Sequence, residues 1–181
     1  LLADLRPEVC FDPHPCAIDP QRVIKLQRRW SAAPGRDETY ARSGGGWLRT
    51  YPARGVPADE AAVARLVRSL VRLRAQDVHR AGEAERAAVP VAELALRIAP
   101  LAMQRTGSDD EVELEDTLPQ DRAFALLPDP AGGTAWLMLE RSGGLAFRLD
   151  AADAEELLAE VASARLFPLA PALVAAVEVA G

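Results

Sequence analysis

The sequence predicts an α+β protein. Two related β-hairpin/helix repeats supply a mostly antiparallel sheet, with amphipathic helices packed on one face. Three observations lead there. The stretch "SGGGWLRTYPARGVPADEAAV" from Ser43 and the stretch "SGGLAFRLDAADAEELLAEV" from Ser142 follow one plan: a glycine turn, a short strand and a capped helix start. Val63, Leu66, Val67, Leu70 and Val71 recur at the spacing of one buried helix face. Elsewhere, short apolar runs alternate with turns rich in Gly, Pro and Asp, which is the pattern of strands.

Residues 1–20 form a proline-rich N-terminal segment. "CFDPHPCAIDP" carries three prolines, and each disfavours helix in the residue before it. Residues 21–82 form the first unit. "RVIKLQRRW" reads as a strand with imperfect alternation, and "ETYARS" and "GGGWLRTYP" read as a hairpin. "ARGVP" reads as a loop. Pro57 then lies near the first turn of a helix, where its missing N–H costs little, and Asp59 and Glu60 favour the helix dipole. The helix runs on toward Gly82, which places His79 at its end.

Residues 83–181 form the second, decorated unit. "VAELALRI", "EVELE", "RAFALLP", "TAWLMLER" and "LAFRL" read as strands. Asp150 offers an N-cap, Asp153 adds a carboxylate to the first turn, and Leu157, Leu158 and Val161 continue a helix that Pro168 ends. "PLAPALVAAVEV" reads as a C-terminal strand. Trp47 and Trp136 are expected in the core, and Trp30, at a strand end, partly exposed.

The chain has 181 residues, 49% of them apolar, which is enough for a sizeable core. No apolar run approaches the about 18 residues a membrane helix needs. The opening "LLADLRPEV" lacks the basic start of a signal peptide, and a chain that begins on Leu1 is expected to be cut from a longer precursor that could have carried an anchor. The net charge of −6 is uneven. Residues 1–80 hold 14 basic against 9 acidic residues, and residues 81–181 hold 7 against 18. Overall acidity argues against a general nucleic-acid binder, whose affinity comes from neutralising phosphates. The split suggests halves that dock on each other or on different partners.

Few residues offer chemistry. Cys10 and Cys16 flank His14 in a C-x5-C arrangement. An even cysteine count in an exported chain suits a disulfide, worth about 2–3 kcal/mol for so short a loop in the chain-entropy model. The same three residues, with Asp12 or water, could instead supply metal ligands, though the spacing matches no strong zinc signature. Free thiols are the third reading. His79 reads as structural. The acidic run of Asp109, Asp110, Glu111, Glu113, Glu115 and Asp116 has no EF-hand spacing and reads as a charged edge strand that resists pairing. Arg65, Arg68 and Arg72 fall opposite the buried helix face and are the candidates for binding an acidic partner. No cofactor is implied. "SGGGW" and "SGGL" are not phosphate loops, because each feeds a strand and lacks the Lys-Ser/Thr that follows such glycines.

The run "DPQRVIKLQRR…ETYARSGGGWLRTYPARGVPADEAAVARLVRSLVRLRA" resembles bacterial envelope proteins grouped as domain of unknown function 4340. The matching positions are Asp19, Pro20, Gly45, Gly46, Trp47, Pro52, Pro57, Ala58 and Asp59. "WLMLERSGGLAFRLDAADAEELLAEVASARLFPL" resembles the family's closing strand–strand–helix, so the resemblance covers about residues 17–181. It implies an extracytoplasmic protein, periplasmic or membrane-anchored, that in some cases accompanies gliding-type transporters. It carries over no catalytic residue. The expectation is a non-catalytic binding or scaffolding module of an envelope or transporter-associated complex, with a protein partner. The alternatives are a metal- or thiol-dependent enzyme centred on Cys10, His14 and Cys16, and a ligand-binding module using a groove between the units.

Overall fold

The computed structural model describes residues 11–44, 46–52, 56–100, 118–130, 134–159 and 161. Among these residues, nine strands are joined into one antiparallel sheet: β1 (Val23–Trp30), β2 (Glu38–Ser43), β3 (Gly46–Tyr51), β4 (Val56–Pro57), β5 (Asp77–Arg80), β6 (Ala92–Ile98), β7 (Gln120–Pro128), β8 (Trp136–Glu140) and β9 (Leu145–Leu149). The helices are α1 (Glu60–Arg72), α2 (Glu83–Ala87) and α3 (Ala151–Leu158). The strand order is β4-β3-β2-β1-β6-β7-β8-β9-β5. The two segments read as units therefore meet in the middle of one sheet, where β1 pairs β6 antiparallel from Val23↔Ile98 to Trp30↔Ala92. β5 follows α1 in sequence yet pairs with β9 at the far edge.

The imperfect alternation of β1 has a physical cause. The register with β6 shifts between Val23 and Lys25, so one extra residue lets Val23 share a face with Leu26, Arg28 and Trp30. That face carries the core. Tyr40, Trp47, Leu94, Leu96, Phe124, Leu126, Met138, Phe147 and Leu149 join Val23 and Leu26 there. Above them lie Val63, Leu66, Val67 and Leu70 of α1 and Ala154 and Leu157 of α3. Fully burying each such Val or Leu is worth about 1.5–3 kcal/mol, so the stripe rather than helix propensity fixes α1 in place. Phe11, Cys16 and Ile18 of the N-terminal segment pack into the same cluster, and the Ala75 N–H donates to the Pro13 carbonyl at 2.8 Å.

The opposite face is apolar only toward β7, β8 and β9. There Ala125, Leu127, Leu137, Leu139 and Ala146 are packed with Ala81 and Ala88, which flank α2. Toward β1 and β6 that face is polar, with Lys25, Arg29 and Arg97 exposed.

Five expectations are corrected. α1 stops at Arg72 instead of running toward Gly82; Leu73 is extended and buried, and the chain then enters β5. His79 accordingly lies on a strand, not at a helix end, and Gly82 precedes α2. Pro57 belongs to β4, two residues before the Asp59 N-cap. Trp30 is buried, because the Arg28 and Arg36 guanidiniums sit over its ring at 4.9 and 5.1 Å. α3 ends at Leu158, with Ala159 as its C-cap and Val161 outside the helix, instead of running on through Val161 toward Pro168. The acidic run 109–116, Pro168 and the C-terminal strand lie outside the described residues.

Candidate functional site

The site is built by two capped helices lying side by side on the sheet. In α1 the Asp59 carboxylate accepts from the Ala62 N–H at 3.0 Å, and Glu60 accepts from the Trp47 N–H at the hairpin. This ties the helix start to β3. A Cβ at Gly46 would sit 2.5 Å from the Glu60 carboxylate, which would have to turn aside. With Val63, Leu66, Val67 and Leu70 pointing down, Arg65, Arg68 and Arg72 point outward and are all exposed. Asp150 caps α3 by accepting from the Asp153 N–H at 2.8 Å.

Between the helices runs a shallow groove of about 320 Å³. One wall is Arg65, Arg68, Ser69 and Arg72 of α1, and the other is Asp153 and Glu156 of α3. A smaller hollow of about 180 Å³ adjoins it, sharing Arg65 and Glu156 and lined with Ala62, Leu66, Ala159 and Val161. Partial burial, together with the neighbouring Asp150 and Glu156 carboxylates, raises Asp153 above the usual carboxylate range. The α3 wall is thus a place where added positive charge is favoured.

Beneath the groove is a buried polar network that ties the two halves together. Arg28 is fully buried. Its Nε donates to Glu38 Oε1 at 2.7 Å, its Nη2 donates to the same carboxylate, and its Nη1 donates to the carbonyls of Leu157 at 2.9 Å and Ala159 at 2.7 Å. Glu38 Oε2 accepts from the Tyr40 hydroxyl at 2.6 Å. Burial, and then the Glu38 carboxylate, push the Tyr40 phenol well above its usual value and keep it a donor. An arginine from β1 therefore fastens the C-terminal end of α3, where helix carbonyls lack internal partners. This network was missed in the sequence. Its signal is that Arg28 and Glu38 occupy core-facing strand positions beside Leu26, Trp30 and Tyr40.

The cysteine–histidine reading finds less support. Cys16 is fully buried in the core, and burial pushes its thiol up to about 11, with Arg122 opposing and Glu140 adding to the rise. His14 is near the surface, its Nδ1 2.9 Å from Asp12 Oδ1, which also accepts from the His14 N–H. Those bonds lower the Asp12 carboxyl below its usual range. No group of three or more His, Cys, Asp or Glu side chains could hold a metal ion among the described residues. Cys10 lies outside them, so intact mass with and without reductant decides the disulfide. In a Cys10→Ser variant, Cys16 is expected to resist a thiol reagent at pH 8 until denaturant is added, because little thiolate forms. Rapid labelling of the native protein would contradict this burial.

His79 has a structural setting on β5. Its Nε2 lies 2.9 Å from Glu85 Oε1 and its Nδ1 3.6 Å from Asp77 Oδ2, while Glu85 Oε2 accepts from the Gly82 N–H at 2.7 Å. Burial raises the Glu85 carboxyl, but the bonds from His79 and Gly82 outweigh it and leave the group below the usual carboxylate range. A lowered folded-state pKa stabilises the fold above the unfolded value and loses that contribution as pH falls through the folded one. The acid limb of stability, followed by urea midpoints from pH 6 to pH 3, is therefore expected to flatten in Glu85→Gln. An unchanged limb would mean the bonds do not persist in solution.

Other hollows lie away from this groove. One of about 320 Å³ lies at the β2–β3 turn, where Arg42 stacks over Trp47 at 5.2 Å. Another, about 420 Å³, lies on the open sheet face over Ala95 and Ala123, rimmed by Lys25, Arg97, Asp121 and Arg141. There Arg97 reaches Asp121 at 3.8 Å and Arg141 reaches Glu93 at 2.8 Å. No helix among the described residues is long and apolar enough to cross a membrane. No family model matches the chain, and no curated protein or solved structure matches it.

Proposed function

We propose that this protein is a non-catalytic, extracytoplasmic binding or scaffolding module of a bacterial envelope or transporter-associated complex, and that the outer face of α1 meets its protein partner. The observation that carries the reading is the row of Arg65, Arg68 and Arg72, exposed on a helix that the sheet holds rigidly from below. A row of guanidiniums on a fixed helix suits recognition of carboxylates, because the planar forks match carboxylate geometry and the backbone has no further freedom to lose. The envelope setting rests on the resemblance to the domain of unknown function 4340 family. The reading based on a metal- or thiol-dependent centre at Cys10, His14 and Cys16 has a buried thiol and a surface histidine against it.

Duplication belongs to the same proposal. The meander β1-β2-β3-β4 leads into Asp59-capped α1, and the meander β6-β7-β8-β9 leads into Asp150-capped α3. The strand order runs outward from β1 and β6 in the same sequence on both sides. Trp47 is the second residue of β3 and Trp136 the first of β8, so the proposed kinship matches third strand to third strand. The resemblance between the Ser43 and Ser142 turns is then one strand out of step with it. An experimental structure in which residues 23–72 and 92–158 fail to superpose in that register would remove the duplication.

The partner reading is tested by the triple reversal R65E/R68E/R72E in the producing bacterium. The expected result is loss of the protein's own envelope complex on a native gel, with folding and abundance retained. A complex of unchanged size and amount would overturn it.

A further inference from the structure

The groove between α1 and α3 has one feature that a simple basic patch lacks: its two walls carry opposite charge. Arg65, Arg68 and Arg72 lie on α1, facing Asp153 and Glu156 on α3, with Asp150 at the start of the same helix. At about 1.5 Å rise per residue, the row from Arg65 to Arg72 spans about 10 Å and the row from Asp150 to Glu156 about 9 Å. Three cations thus line one wall of the groove and two carboxylates the other, with the Asp150 cap at the start of the acidic helix. Among the described residues, none of the three guanidiniums forms an ion pair with the facing wall.

We infer that this groove is a self-complementary contact through which two copies of the chain associate about a two-fold axis, the α1 arginines of each lying against the α3 carboxylates of the other. A two-fold axis lying in the contact plane and running along the groove sets the positive wall of each copy over the negative wall of the other, so both contacts form at once. The inference rests on the reading of α1 as a contact surface and names its occupant. A phosphate-rich or otherwise purely anionic ligand would meet the α3 carboxylates. A purely acidic protein face would meet the same repulsion. A second copy satisfies both walls. The raised Asp153 carboxyl accords with a wall that gains from an arriving guanidinium. The neighbouring hollow of Ala62, Leu66, Ala159 and Val161 supplies an apolar end to the seam.

The test uses the full chain and two charge variants in sedimentation equilibrium. The wild type is expected to dimerise reversibly, more weakly at high salt, because exposed ion pairs are screened. R65E/R68E/R72E makes both walls negative, and D153K/E156K makes both positive. Each alone is expected to be at least about tenfold weaker as a dimer. Mixed, the two are expected to restore association as a heterodimer, since each offers what the other lacks. Circular dichroism and urea midpoints check that both fold; if either does not, the single changes Arg68→Glu and Glu156→Lys replace them. A monomeric wild type, or a mixture that stays monomeric, would overturn the inference. If the wild type is monomeric while the triple reversal still abolishes the envelope complex, the two-fold contact falls and α1 remains the surface for a different protein.

Discussion

Replacing Arg28 by methionine is expected to lower the stability of the fold by about 3–5 kcal/mol, read as a fall in the urea midpoint. The guanidinium is fully buried, and its donors serve the Glu38 carboxylate and the Leu157 and Ala159 carbonyls. Removing it leaves a buried carboxylate without its counter-charge and the end of α3 without its donor. The size of the effect belongs to those orphaned partners and not to the ion pair alone. The double change R28M/E38L is therefore expected to cost less than Arg28→Met by itself. Amide exchange in α3 should quicken in Arg28→Met, because the carbonyls that anchor the helix are released. A loss under about 1 kcal/mol, or a double variant worse than the single one, would show that the network does not hold α3 to β1.

Phe124→Ala is the second large effect, at about 3–5 kcal/mol. Phe124 is fully buried on β7, facing the helices, between Leu94 of β6 and Glu140 of β8 in register. Its loss leaves a cavity in a layer that neighbouring strands hold open, so relaxation can recover little of the lost contact. Leu118, just before the same strand and 70% exposed, is the control. Leu118→Ala is expected to shift stability by no more than about 0.5 kcal/mol. Comparable effects from the two would place Phe124 outside the core.

The order of elements was legible because each leaves a local mark. The i, i+3, i+4 spacing from Val63 gives α1, the Asp150 cap gives the start of α3, and the glycines at 44 and 144, both at positive φ, give the turns. Strand positions followed from alternation. What stayed hidden depends on partners distant in sequence. Arg28 reads as one more surface cation until Leu157 and Ala159, about 130 residues away, are brought to it by folding. β5 is short, and it becomes a strand only because β9 offers it an edge. Trp30 looks half exposed until Arg36 returns across its ring.

The site was legible on one side only. The α1 stripe fixes which way Arg65, Arg68 and Arg72 point, so they could be named in advance. Glu156 could not, because its place opposite those arginines depends on α3 lying beside α1. Asp153 drew notice only as a first-turn carboxylate. The charge imbalance between residues 1–80 and 81–181 was the remaining trace of the arrangement: a basic helix from the first half lies along an acidic helix from the second.

The claim that this α1–α3 face is the working surface is tested most directly by photo-crosslinking in the producing cell. A photoreactive side chain is placed at Ser69, within the groove, and in a separate strain at Lys25, on the open sheet face. The account predicts a discrete protein adduct from position 69, abolished by R65E/R72E, and none from position 25. An adduct from position 25 with none from position 69 would place the working surface on the other side of the sheet and contradict the account.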